Sequence, residues 1–107
     1  METNSYARHL LQFVFTASKG GVNRMRIVSQ LRQRPLNAYQ LSINLDLNYK
    51  AIQHHLKVLE SNNLVIRIGG KYGAAFFISP FLEVNFGAFD SMVIEHDKEL
   101  LAPMHIA

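Results

Sequence analysis

The stretch from Asn37 to Arg67, NAYQLSINLDLNYKAIQHHLKVLESNNLVIR, restricts the fold more than any other part of the chain. It holds two apolar patterns of helical period with only a few residues between them. In the first, Leu41 and Leu45 form an i, i+4 pair behind Asn37, whose side chain suits the N-cap because it accepts a backbone N–H of the first turn. In the second, Asn48 takes the capping position. Ile52, His55, Leu56 and Leu59 then fall on one side of a helix that runs to about Ser61 or Asn62. SNN ends it, since these side chains compete for backbone hydrogen bonds. LDLN leaves room for no more than a tight connection between the two helices.

The other side of the second helix has a different chemistry. Lys50, Gln53, His54, Lys57 and Ser61 lie there, and Glu60 is displaced to the flank. A solvated face usually mixes both signs of charge; this one has two ammonium groups, an amide and an imidazole, and no carboxylate. Lysine donates to phosphates or to guanine, a glutamine amide pairs bidentately with adenine, and a helix of this width fits the DNA major groove. Asn48 and Tyr49 stand at the end of the helix that enters such a groove first. The plainer reading is a surface helix with lysines for solubility. His55 sits on the inner side and reads as a packed, hydrogen-bonded histidine.

The flanking segments give the rest of the architecture. Tyr6, Leu10, Phe13 and Ala17 follow helical spacing from Ser5 to about Ser18, with Leu11 and Val14 widening the stripe, and KGG breaks it at Lys19 to Gly21. A second helix spans about Asn23 to Gln33, with Met25, Ile27, Val28 and Leu31 apolar, and Pro35 enforces its end by pushing Arg34 out of the helical region. After the capped pair, LVIRIGGKYGAAFFIS reads as a β-hairpin around a turn for which Gly69, Gly70 and Gly73 supply positive φ. Strand alternation sets Arg67 opposite Ile66 and Ile68, toward solvent or a ligand, with Lys71 and Tyr72 at the turn. Ser79 as cap and Pro80 at the first helical position open a last helix that is predicted to reach about Ala102. Leu82, Phe86, Phe89, Val93, His96 and Leu100 form a seam on it, broadened by Phe81 and Met92. The chain is therefore mainly α with a small β-hairpin (α+β): four helices, a hairpin and a helix.

Composition narrows the function classes. A length of 107 residues fits one domain, and 49% hydrophobic against 18% charged residues is apolar enough to keep surface for a partner. A net charge of +3 permits nucleic-acid binding. It is low for a non-specific architectural DNA binder that depends on counterion release. The absence of cysteine excludes disulfides, thiolate metal sites and cysteine nucleophiles. No signal peptide is visible and no apolar run approaches the roughly 20 residues that span a bilayer, so a cytoplasmic protein without membrane contact is expected. Glu95, His96, Asp97, Glu99 and His105 lie near one another toward the end of the last helix, but Pro103 interrupts it before His105. His54 and His55, being adjacent, diverge on a helix and cannot clamp one ion. No metal, no cofactor and no catalytic role are expected, and no phosphate-loop, HExxH or nucleophile-elbow motif occurs. Arg24 and Arg26 stand where a phosphate contact is conceivable; Arg32 and Arg34 read equally well as surface charge.

The capped helix pair, Leu47 in its turn, and NNLV leading into a hairpin resemble the winged helix-turn-helix of ArsR-type transcriptional regulators, most of all their small archaeal members. HHLKVLESNNLV is similar to the family pattern H-L-x-x-L-x-x-x-G-L-V, with Asn63 where glycine is frequent; asparagine also tolerates a left-handed helix end. The resemblance covers about residues 22–79. It implies one domain over 1–107, with an N-terminal dimerisation helix (1–18), a winged-helix core (22–79) and a C-terminal dimerisation helix (80–102). It implies that Asn48, Tyr49, Lys50, Gln53, His54 and Lys57, on a recognition helix over 48–62, read double-stranded DNA in the major groove. The wing (66–78), with Arg67, Lys71 and Tyr72, would lie on the backbone or in the minor groove. It further implies a homodimer closed by Tyr6, Leu10, Phe13, Leu82, Phe86, Phe89, Val93 and His96 and bound to a pseudo-palindromic site. The family's cysteine pair for metals is missing. Winged helices also serve as protein-interaction modules inside transcription or other assemblies, so the fold leaves that reading open, as it does the architectural DNA binder.

Overall fold

The computed structural model describes residues 4–70 and 73–101, with side chains of the last helix described as far as Lys98. The elements are α1 (Ser5–Phe15), α2 (Gly21–Gln33), β1 (Leu36–Asn37), α3 (Ala38–Leu45), α4 (Tyr49–Ser61), β2 (Val65–Ile68), β3 (Ala75–Ile78), α5 (Pro80–Val84) and α6 (Phe86–Leu101). The three strands form one antiparallel sheet in the order β1-β3-β2. The expected mainly helical architecture with a hairpin is present. The two-residue β1 has no counterpart in the sequence reading, because Leu36 and Asn37 become a strand only by pairing with Phe76 and Ala75.

Local chemistry sets the helix ends. Asn37 forms a full capping box: its Oδ1 accepts from the Gln40 backbone N–H at 2.8 Å, and the Gln40 side chain accepts from the Asn37 N–H at 2.9 Å. The Asn48 side chain accepts from the N–H groups of Lys50 and Ala51 at the start of α4. Between the two helices Asp46 takes a left-handed conformation (φ 52°, ψ 50°), and the Leu47 N–H bonds back to Ser42 O at 3.1 Å. Asn63 is left-handed too, at φ 58°, which is what the asparagine in place of glycine allows. Ser79 closes the unit from the far side. Its hydroxyl donates to Asn63 O and accepts from the Leu82 N–H, so a single buried side chain joins the end of α4 to the start of α5.

The core gathers Leu11, Val14 and Phe15 of α1, Ile27, Val28 and Leu31 of α2, Leu41 of α3, Ile52, Leu56 and Leu59 of α4, and Leu64 and Val65 at the sheet. Leu82 and Phe89 join it, with Phe89 edge-on to Phe15 at a centroid distance of 5.0 Å. The last helix is not continuous as predicted from the sequence. It breaks at buried Asn85, whose side-chain amide donates to Phe81 O and whose backbone leaves helical geometry at φ −111°, ψ 16°.

Two further expectations are corrected. Arg24 is no phosphate contact: it is 4% exposed and held inside the fold. Arg32 is not free surface charge but stacks on Phe86 at 3.8 Å and pairs with Asp90 of α6. On β2 Arg67 is exposed and opposite Ile66 and Ile68, as expected; Val65, on the same side of the strand as Arg67, is buried, and Ile66 and Ile68 are exposed as well.

Two glycines in the α1–α2 turn are required by close approach. A β-carbon at Gly21 would stand 2.1 Å from Phe15 O, and one at Gly20 would stand 2.5 Å from Arg24 Nη1 and 2.6 Å from His55 Cε1. The helix α2 thus starts two residues before the predicted Asn23, where only glycine fits.

Candidate nucleic-acid interface

The helix α4 divides as its periodicity requires. Ile52, His55, Leu56 and Leu59 are buried, and Lys50, Gln53, His54, Lys57 and Ser61 are exposed. The buried side fixes the rotation of the helix, and so aims the basic side outward. The hairpin then rises beside α4, because Leu64 and Val65 carry the chain directly from the helix end into β2.

Between them lies a groove of about 380 Å³. Tyr49, Gln53, Lys57 and Glu60 of α4 form one wall, and Arg67, Gly73 and Phe76 of the hairpin form the other. Tyr39, from the first turn of α3, closes one side and is 65% exposed. The structure thus brings Tyr49, Gln53, Lys57 and Arg67 together around one concavity. Lys50 and His54 are exposed on the same helix but do not line it. Asn48 is exposed, with its carbonyl oxygen engaged in capping, so only its amide NH₂ is available to a ligand. Lys71 and Tyr72 lie outside the described residues.

Arg67 is exposed, as expected, and lines the groove. It points to the α4 side of the sheet and meets Glu60 at 3.6 Å, with both side chains about half exposed. Tyr39 and Phe76 line the groove without having been singled out from the sequence, and Glu60, placed there only on the flank of α4, lines it too. Glu60 sits on the flank of the helical wheel, and Tyr39 belongs to a helix read only for its leucines; neither has a periodic signal.

The residues assigned to a dimer interface separate into two groups. Tyr6 and Phe13 are exposed, at 69% and 61%, and with half-buried Leu10 they make an apolar stripe along α1. Phe86, Val93 and His96 are half-buried. Leu82 and Phe89 are 0% and 1% exposed within the single chain and have no surface left to offer a second copy in this conformation. Among the described residues no group of three or more His, Asp or Glu is placed to hold a metal ion, and no helix is long and apolar enough to cross a membrane.

Residues 21–67 match the family model described as bacterial regulatory protein, arsR family. No curated protein matches the chain. Among solved structures, HlyU from Vibrio cholerae is similar over 100% of both chains, with 23% identity and a TM-score of 0.64. An ArsR-like transcriptional regulator from Rhodococcus sp. covers 98% of this chain and 97% of its own, at 22% identity and a TM-score of 0.60. The homodimeric winged helix-turn-helix DNA-binding domain Mb0332 from Mycobacterium bovis, a possible ArsR-family regulator, covers 100% of this chain and 94% of its own, at 15% identity and a TM-score of 0.66. At these identities the structural likeness is one of fold. Over its helix-turn-helix the chain is thus similar to the arsR regulatory proteins, and its fold as a whole is the winged helix-turn-helix.

Proposed function

We propose that the protein is a sequence-specific, double-stranded DNA-binding transcriptional regulator that acts as a homodimer in the cytoplasm, without catalytic activity, cofactor or metal. The observation that carries this reading is the meeting of Gln53 and Lys57 with Arg67 around one groove, on a helix whose exposed face has no carboxylate but Glu60 at its edge. In this reading α4 enters the major groove. Gln53 reads a base edge, while Lys50 and Lys57 contact phosphates. Tyr49, His54 and the NH₂ of Asn48 add contacts at the helix start and along its side. Arg67, Lys71 and Tyr72 bring the wing to the backbone or the minor groove.

The exposed stripe of Tyr6, Leu10 and Phe13, with Phe86, Val93 and His96, is the proposed contact between the two copies. A two-fold pair of recognition helices calls for a pseudo-palindromic site with half-sites about one helical turn apart. The homodimer reported for the Mycobacterium bovis domain supports that part. The stretch from Asn37 to Arg67 supports kinship with the small archaeal members.

The test is selection from a randomised duplex pool at physiological salt, with the bound fraction sequenced. Enrichment of an inverted repeat is the expected result. Retention without enrichment supports an architectural binder instead. No retained DNA supports the protein-interaction reading, which the exposure of Ile66 and Ile68 on the outer face of the wing favours.

A further inference from the structure

The recognition helix is fastened to the rest of the molecule by an unusual contact. Arg24 of α2 is 4% exposed, yet it forms no ion pair with any carboxylate among the described residues. Its donors go to three neutral acceptors. Nε donates to Val14 O, in the last turn of α1, at 3.0 Å. Nη2 donates to Ser18 Oγ, and that hydroxyl in turn donates to Val14 O at 3.3 Å. Nη1 lies 3.1 Å from Nδ1 of His55, on the inner side of α4. Gly20 leaves the space this cluster needs.

The chemistry of the contact fixes the proton. A guanidinium only donates, so Nδ1 of His55 must be the bare nitrogen and the ring must carry its proton on Nε2. A second proton would have to sit on Nδ1. It would oppose an N–H of Arg24 with another N–H and set two buried cations against each other.

We propose that Arg24 and His55 are positioning residues of the recognition helix, and that protonation of His55 Nδ1 releases α4 from α2 and the α1–α2 turn and so weakens DNA binding. The groups that face His55 are Arg24 from α2 and His54 on its own helix; Ser18 from the turn is uncharged. Burial, then the Arg24 charge, then His54 hold the His55 pKa below its ordinary value of 6.5. His54 itself is exposed on the opposite side of α4.

The experiment uses the full chain in two arms. Imidazole ¹⁵N resonances give the tautomer of His55 and its titration, and backbone amide resonances of Gln53 and Lys57 report on α4. Expected are the Nε2–H tautomer at neutral pH and amide shifts that follow His55 as it titrates. An Nδ1–H tautomer, or a His55 titration that leaves Gln53 and Lys57 unmoved, overturns the proposal.

The second arm measures affinity for a labelled duplex carrying the selected repeat, from pH 7.5 to 5.5, for the native chain and for His55→Asn. The asparagine carbonyl oxygen takes the place of Nδ1 and accepts from Arg24 without titrating. The native chain should lose affinity relative to the variant by up to about tenfold per pH unit, the limit for one proton. The same acid loss in both proteins overturns the proposal. This arm rests on the DNA-binding reading, whereas the resonance arm does not. If no duplex binds at any pH, that reading fails and the resonances alone decide. They also decide if His55→Asn does not fold.

Discussion

The helix α4 and the terminal helices are all amphipathic, yet they use their apolar residues differently. In α4 Ile52, Leu56 and Leu59 are buried in the chain's own core and, apart from Tyr49, the exposed side is polar. In α1, α5 and α6 the apolar set is divided. Leu11, Val14, Phe15, Leu82 and Phe89 are buried, while Tyr6, Phe13, Val84 and Ile94 are left largely in solvent. A stripe wider than one neighbour can cover leaves apolar surface for a second partner, the part given to the other copy in the homodimer proposed above.

The sharpest way to break this comparison is to truncate one phenylalanine from each group. Phe89→Ala should cost about 3–5 kcal/mol of folding stability through a cavity beneath Phe15. Phe13→Ala should change the folding of the single chain by no more than about 0.5 kcal/mol. It should instead shift the monomer–dimer equilibrium toward monomer. Urea denaturation at several protein concentrations, with sedimentation equilibrium beside it, separates the two effects. Equal losses would mean that α1 has no second partner.

Next in size are the changes on α4. Gln53→Ala should cost about 1–3 kcal/mol at one base pair and relax the preference there. Lys57→Ala should weaken all duplexes alike and lower the salt slope by about one. Repeating the duplex selection with Gln53→Ala tests the first; if the preferred site is unchanged, the recognition surface lies elsewhere.

Asn37→Ala removes the capping box that sets the start of α3, at a cost of about 1 kcal/mol seen in thermal unfolding. The smallest effect belongs to Glu60→Gln. Its pair with Arg67 is exposed, so stability should move by less than about 1 kcal/mol. Affinity for every duplex should rise modestly, as the one carboxylate that lines the groove among the described residues is neutralised. A fall would show that Glu60 is needed to aim Arg67.

Stability should also depend on pH, through His55. Between its lowered value in the fold and the ordinary 6.5, the unfolded chain binds more protons. Stability is therefore highest above that window and declines as the pH falls through it.

Sequence alone was most informative where the determining interactions are local. The caps at Asn37, Asn48 and Ser79, the left-handed Asn63, and the sides of α4 all follow from contacts within one or two turns. The rest depends on distant partners. An arginine in the first turns of α2 gives no sign that the α1–α2 turn will fold over it. Asn85 breaks a helix only because its side chain finds Phe81 O in a buried corner. Of the groove, the polar side of the α4 wall was readable from periodicity; Tyr39 and Phe76 enter it through the packing of α3 and the hairpin.

The crowding at Gly21 has a genetic consequence. Every amino acid one nucleotide away from a glycine codon carries a β-carbon, so each missense change there must push against the carbonyl of Phe15. The position has no mild neighbour in the code. In a saturation library it should stand out as a column of losses, although it touches neither DNA nor a second subunit in the arrangement proposed above.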